Sequence, residues 1–196
     1  MKKLFLLSIP VIALISSCNS GPKEVDTRPA TELALIKKFS DADSTLNAQI
    51  NEANKDAFFN EVKPKLVDFI IKDLNCKAEN WEAHVYEIKP GDDGINATFL
   101  ISKEPEFAEE KYMNYESIVL QSDNVSDDKI VQVLKTLQKG DKVILSGTIE
   151  KLNFDVNDTE FFQTSDHFST DKESQISNPA FYFTLSALKH KEIGKP

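Results

Sequence analysis

The sequence predicts an α+β domain in which N-terminal helices precede five β-strands, with one helix between strands 3 and 4. Two observations support this class. Between 31 and 75, apolar residues recur at intervals of three and four, which is the spacing of one face of a helix. From 80 to 190 the period changes to two, as in half-buried strands, and one capped helical run interrupts it. We therefore expect a helical segment over 31–75 and a separate β domain over 80–190.

Residues 1–17 have the composition of an export signal. Lys2 and Lys3 precede an apolar run over 4–15, and small residues follow that run. The run is shorter than the roughly 20 residues that a membrane-crossing helix needs. The order Ile-Ser-Ser-Cys over 15–18 resembles the lipobox of bacterial lipoproteins. That resemblance implies cleavage before Cys18 and acyl chains on this residue; the alternative is a plain secretory signal with an incidental cysteine.

The stretch 18–30 is predicted to be a lipid-anchored flexible tether. It contains Gly21, Pro22 and Pro29 and no large apolar cluster. Aspartate after the lipidated cysteine commonly directs retention in the inner membrane in this family, so Asn19 favours the outer membrane. The predicted partners are therefore the membrane, reached through the lipid on Cys18, and an envelope protein.

Composition excludes several classes of function. The formal net charge is −9 and Arg28 is the one arginine, so the chain repels nucleic acid and lacks the usual bidentate phosphate ligand. No nucleic-acid partner is therefore predicted. With Cys18 lipidated, Cys76 has no cysteine partner, and three histidines without a Cys/His cluster make a zinc site improbable.

An apolar stripe dominates the helical segment. Polar residues at 41–45 leave open whether it forms one helix or two, and whether it packs on its own domain or forms a coiled-coil seam with a partner. A second helical run covers 58–71, with Asp56 as its predicted N-cap and Pro64 as a kink or break. The stripe consists of Leu35, Phe39, Ala42, Leu46, Ile50, Ala53 and Ala57.

Two alternating runs around a Gly/Asp turn at 90–94 predict a β-hairpin. In the first run Trp81, Ala83 and Val85 point one way, and His84 lies on the presumed solvent face. Residues 115–121 form a third strand candidate.

The second half of the β domain begins with a helix. Ser126 is its predicted N-cap and Gly140 its C-terminal glycine. A strand over 141–152 follows, in which Gly147 suggests a bulge or tight bend. A last alternating strand covers 181–188.

This order of strand, strand, strand, helix, strand, strand is that of an OB-fold, a five-stranded barrel. The run LQKGDKVILSG over 137–147 resembles the LkkGDkVxfsG run of OB-like domains in uncharacterised bacterial proteins. The run NPAFYF over 178–183 is similar to their closing PxFxF strand, and Trp81 also fits their pattern. The resemblance covers about 80–188 and implies a fold without a settled activity.

OB barrels usually bind ligands on strands 2 and 3, between the 1–2 and 4–5 loops. The predicted 4–5 loop, over 153–178, is long and polar but carries aromatic residues. Oxygen ligands over 155–160 suit calcium but lack the EF-hand pattern, so a solvated acidic loop is expected, with no metal and no cofactor. The candidate ligand-binding residues of this loop are Phe154, Phe161, Phe162, His167 and Phe168.

No catalytic residue is predicted, because the chain has no nucleophile elbow, HExxH motif, P-loop or dinucleotide glycines. Two functions of different class remain. One is a lipid-anchored binding or interaction module of the cell envelope. The other is a structural or assembly lipoprotein that acts through the stripe from Leu35 to Ala57.

Overall fold

The structure is a computed structural model and describes residues 26–103, 117–150, 152–154, 158–160 and 173–191. It confirms the predicted α+β class, with helices at the N-terminus and one helix between the third and fourth barrel strands. In chain order the elements are α1 (Ala30–Asn47), α2 (Glu52–Asp68), a π-helical turn (Phe69–Asp73), β1 (Lys77–Pro90), β2 (Ile95–Ser102), β3 (Ser117–Val125), α3 (Asp128–Leu134), β4 (Lys142–Ile149), β5 (Leu152–Phe154), β6 (Asp158–Glu160), α4 (Ser174–Ser177) and β7 (Ala180–His190).

Five strands form a closed barrel in the order β1-β2-β3-β7-β4, which is consistent with an OB-fold. The pairs are antiparallel except β3 with β7, which run parallel. Closure leaves few free strand edges. The predicted hairpin is β1–β2, and its register runs up to the pair Pro90 and Ile95. Strands β5 and β6 form a separate two-stranded sheet inside the predicted 4–5 loop.

Strand β1 corrects one prediction about the barrel wall. Trp81, Ala83 and Val85 are buried, as their alternation predicts. His84 was predicted to face solvent, but it is 8% exposed. The reason is tertiary: Arg28, from the segment before α1, lies beside His84 on the outer face of β1. Strand alternation assumes that one face meets water, and here a remote segment covers that face.

Helix α1 packs its apolar face on the barrel. Phe39 meets the ring of Phe181 edge to face, with centroids 5.9 Å apart, a favourable aromatic geometry. The buried side chains of this face include Leu35, Phe39, Ala42 and Leu46.

The predicted stripe does not continue into α2. Ile50 is 95% exposed, and Ala53 is exposed as well. Helix α1 ends at Asn47, and helix α2 begins at Glu52. The break therefore lies at 48–51 rather than at 41–45, and there are two helices.

Asn51 is the N-cap of helix α2, and its side chain accepts a hydrogen bond from the Asn54 amide at 2.9 Å. The predicted N-cap, Asp56, is instead inside the helix. Pro64 does not divide α2, which continues to Asp68. A π-helical turn follows, in which the Leu74 amide donates to the carbonyl of Phe69.

Helix α3 is shorter than predicted. Asp127, not Ser126, is its N-cap and accepts from the amides of Lys129 and Ile130. The helix ends at Leu134, so Gly140, at φ +93°, belongs to a later turn. The bulge predicted at Gly147 is confirmed, because the β4–β7 register shifts there. A Cβ at this position would lie 2.2 Å from the Thr184 carbonyl oxygen, so only glycine fits.

Candidate functional site

Most of the sequence-predicted site residues lie outside the described part of the chain. This applies to Cys18 and the export signal, and to Phe161, Phe162, His167 and Phe168. Phe154 ends strand β5, where its backbone pairs with Asp158 of β6. Both the lipidation of Cys18 and the aromatic ligand site therefore stay predictions.

The described residues contain an open groove at one end of the barrel. Strands β3 and β7 pair only from Val119 with Ala180 to Gln121 with Tyr182, and beyond this point they part. The space between them has a volume of about 490 Å³. We call it the β3–β7 groove; it is lined by Gln121, Ser122, Asp123, Asn124, Val125, Ser126, Asp127, Glu150, Tyr182, Phe183, Thr184 and Leu185.

A bulge in β3 explains why the two strands part. Ser122 pairs with Ala97 and Val125 with Ile95, so β3 has one more residue than β2 over this interval. Asn124 takes a left-handed φ of +51° there, which asparagine tolerates better than most residues. A bulge bends its strand and interrupts the ladder. Accordingly, the Ser122 hydroxyl, rather than a backbone amide of β3, donates to the Phe183 carbonyl at 2.5 Å.

Of the two loops that the OB-like interpretation favours, the β1–β2 turn lies at the groove. The β1–β2 turn reaches it, because the Asp93 amide donates to the Asn124 side chain at 3.3 Å. Glu150, on the other side, immediately precedes the predicted 4–5 loop. The strands that form the groove are β3 and β7, however, not β2 and β3.

The polar lining of the groove is acidic. Asp123, Asp127 and Glu150 contribute carboxylates, and no lysine, arginine or histidine lines the groove among the described residues. Asp127 is occupied by the cap of α3, and Gln121 donates to Asp123 at 2.9 Å. Partly exposed aliphatic and aromatic surface comes from Val125, Tyr182 and Leu185, whereas Phe183 is 2% exposed.

A second polar cluster lies where the N-terminal segment meets the barrel. Arg28 is 8% exposed and forms several hydrogen bonds with Asp26, the shortest at 2.7 Å. It also donates to the Ser102 carbonyl at 2.6 Å. Thr31 accepts from the indole nitrogen of Trp81 at 3.0 Å. Residues 26–30, predicted as part of the tether, therefore lie against the barrel. We call Asp26, Arg28, Thr31, Glu32 and their barrel partners the N-terminal clamp.

Glu32 is the most deeply buried member of the clamp, at 0% exposure. Its Oε2 accepts from the Glu82 amide at 2.8 Å, and its Oε1 lies 3.7 Å from Nη1 of Arg28 without a hydrogen-bond partner. Burial raises the pKa of Glu32 to about 7, because removing a carboxylate from water disfavours its charge. The hydrogen bonds from Arg28 lower the pKa of Asp26.

His84 completes this cluster from β1. Burial lowers its pKa to about 4, and its Nδ1 lies 3.4 Å from the Gly140 carbonyl oxygen. Lys191 forms an ion pair with Glu82 at 2.5 Å. The adjoining cavity, which Arg28, His84, Lys142 and Lys191 help to line, measures only about 30 Å³. It is too small for an organic substrate and has room for about one water molecule, so the clamp serves the fold.

Sequence reasoning did not identify either region. In the sequence, Asp123, Asn124 and Asp127 stand close to Ser126, the predicted N-cap, and the cap in the structure is Asp127. Their participation in a groove depends on β7, which lies more than fifty residues further along the chain. Arg28, the chain's single arginine, was the available indication of the clamp.

Comparison with protein-family models, curated proteins and solved structures found no match to this chain. Among the described residues, no group of three or more His, Cys, Asp or Glu side chains is placed to hold a metal ion. No helix in the described part is long and apolar enough to cross a membrane.

Proposed function

We propose that this chain is a non-catalytic binding module of the cell envelope, held at the membrane by a lipid on Cys18, with its ligand in the β3–β7 groove. The observation that carries the proposal is the groove itself, an open space of about 490 Å³ in a barrel that is otherwise closed. Ligand sites of this size are typically concave and combine apolar surface with a few polar groups. The lipobox resemblance supports the anchor.

The N-terminal clamp limits how far the domain lies from its anchor. It holds Asp26 and Arg28 against the barrel. Only eight residues, 18–25, then separate the clamp from the lipid, and a fully extended chain of that length reaches about 28 Å. The proposed module therefore works close to the membrane surface.

The groove supports binding better than catalysis. It contains no histidine, lysine or cysteine among its described lining residues. The hydroxyl of Ser122 is engaged with a backbone carbonyl, and none of the described lining residues is a histidine or lysine that could activate it. The groups with strongly shifted pKa values, Glu32 and His84, belong to the clamp.

The alternative, assembly through the α1 stripe, has less support. Leu35, Phe39 and Leu46 are already buried in this chain's own core. A partner helix would have to rely on the second half of the stripe, around Ile50 and Ala57, which is exposed. We therefore place the functional surface at the groove.

The anchor is tested by Cys18→Ala. We expect loss of incorporated labelled fatty acid and movement of the protein from the membrane to the soluble fraction, because one cysteine carries the lipid. Ser17→Ala, which leaves the cysteine in place, is the control. Membrane retention of Cys18→Ala would contradict the anchor.

The binding surface is tested by filling the groove without changing its charge. Thr184→Trp introduces a large side chain at an exposed lining position, and Ser186→Trp introduces the same side chain on β7 outside the groove. Affinity isolation from the native envelope with detergent-purified protein compares them. We expect Thr184→Trp to lose the bound molecules that wild type and Ser186→Trp retain. Equal retention by both variants would contradict a role for the groove.

A further inference from the structure

We infer that the occupant of the β3–β7 groove is a basic, extended segment of a partner protein, whose lysine or arginine side chains face the groove carboxylates. The inference rests on the proposed function of the groove and names the chemistry of its ligand.

Charge is the first argument. Asp123, Asp127 and Glu150 line the groove, and no described lining residue carries positive charge. The chain as a whole is acidic, with a formal charge of −9. Potentials of one sign concentrate in a cleft, so a cationic ligand is attracted and an anionic one is repelled.

The apolar surface beside these carboxylates is the second argument. Val125 and Leu185 line the same groove and are partly exposed. Lysine and arginine place their methylene stems on apolar surface while the charged head stays with polar groups. A metal ion uses only the carboxylates, and no described group of three such ligands is suitably placed.

Strand geometry is the third argument and points to an extended segment. Past Gln121 on β3 and Tyr182 on β7, the two strands no longer pair with each other. Each strand still pairs on its other side, β3 with β2 and β7 with β4. Among the described strands, one edge of each therefore faces the groove without a strand partner, and an extended peptide pairs with such edges.

The chain's own neighbouring segment does not supply this charge. Residues 151–172, which follow Glu150 directly in sequence, contain five carboxylates and two lysines. We therefore assign the basic occupant to another molecule.

The test is calorimetric titration of the detergent-purified protein with an octalysine peptide at low ionic strength. Octaglutamate, octaserine and a neutral chitin hexasaccharide are the comparison ligands. The groove variant is Asp123→Asn/Glu150→Gln. Its matched control is Asp73→Asn/Glu61→Gln, which removes the same two charges from exposed positions outside the groove. An octalysine with alternate amides N-methylated keeps its charge but loses donors on one edge.

We expect octalysine to bind wild type and the matched control alike, and the groove variant at least about tenfold more weakly, the effect of about 1.4 kcal/mol. The N-methylated peptide should also bind more weakly. An equal loss of octalysine affinity in both double variants would show non-specific charge attraction and overturn the inference. Octalysine affinity that is unchanged in the groove variant would overturn it as well.

Two further outcomes separate this inference from the proposed function. If the hexasaccharide binds in a Thr184→Trp-sensitive manner and octalysine does not, the groove is a binding site but the basic-segment inference is wrong. If neither ligand binds, and Thr184→Trp loses none of the molecules that wild type isolates from the envelope, then both the basic-segment inference and the proposed function of the groove are wrong.

Discussion

The N-terminal clamp and the β3–β7 groove use the same residue types in opposite ways. In the clamp, Asp26 and Glu32 face Arg28, and the adjoining cavity measures about 30 Å³. In the groove, Asp123 and Glu150 line an open space of about 490 Å³ without a basic residue among its described lining. The clamp carboxylates face a cation of the same chain, whereas the groove carboxylates remain accessible to a partner.

This difference shows where in the molecule an ionised carboxylate costs folding free energy. Burying an ionised carboxylate costs free energy unless a partner compensates it. Glu32 is only partly compensated, since one of its oxygens has no hydrogen-bond partner, and its pKa rises accordingly. Solvent already stabilises an open carboxylate, so the groove residues impose little such cost. Mutations should therefore affect stability at the clamp and binding at the groove.

The largest effect is expected from Arg28→Ala. It removes the partner of Glu32 and Asp26 and the hydrogen bond to the Ser102 carbonyl. Leaving a buried carboxylate without its cation costs about 3 kcal/mol of unfolding free energy. Urea denaturation at neutral pH measures it. Lys72→Ala, which breaks an exposed i,i+4 pair with Asp68, should change stability little; similar losses in both variants would show that the clamp does not stabilise the fold.

Glu32→Gln should change the pH dependence of stability. The folded pKa, about 7, lies above the reference value of 4.5. The stability contributed by Glu32 is therefore complete below pH 4.5 and is lost as pH rises through 7. That loss amounts to about 3 kcal/mol. Glutamine still accepts from the Glu82 amide but does not ionise. We expect the stability of the variant relative to wild type to rise by up to this amount from pH 4.5 to 8; parallel denaturation curves would contradict it.

His84→Gln should show the opposite slope. The folded pKa of His84, about 4, lies below its reference value of 6.5. Its contribution is therefore complete above pH 6.5 and is lost as pH falls through 4. Because the ring keeps some contact with solvent at 8% exposure, we expect a change of about 2 kcal/mol in the variant relative to wild type over that interval. In wild type the opposed effects of Glu32 and His84 partly cancel between pH 4.5 and 6.5. Urea denaturation of Glu32→Gln, His84→Gln and the double variant between pH 4.5 and 6.5 tests this cancellation. Single variants whose stability relative to wild type does not change with pH in opposite directions would contradict it.

The smallest effect on stability is expected from the groove variant Asp123→Asn/Glu150→Gln. Both side chains line an open groove, so the denaturation midpoint should stay within the error of measurement while octalysine binding falls. A clear loss of stability would show that these carboxylates serve the fold, and the contrast with the clamp would disappear.

Local patterns were good predictors of elements. The period of two identified the β1–β2 hairpin and the burial of Trp81, and the glycine inside β4 identified the bulge at Gly147. Boundaries were less predictable. Ile50 continues the helical spacing although it lies between two helices, because apolar periodicity does not record where the backbone turns. Asn51 and Asp56 are both good N-cap residues, and only the position of the break selects Asn51.

The sequence by itself determined the α+β class, the order of the barrel strands and of the helix between them, and the acidic charge, because each depends on composition or on neighbouring residues. Tertiary structure alone decided that His84 is buried, that Arg28 is clamped to the barrel and that a groove opens where β3 and β7 part. These features join residues from distant segments. Which side chains are buried and which charges stay accessible depends on the surfaces that pack together, and the local period of apolar residues does not specify that packing.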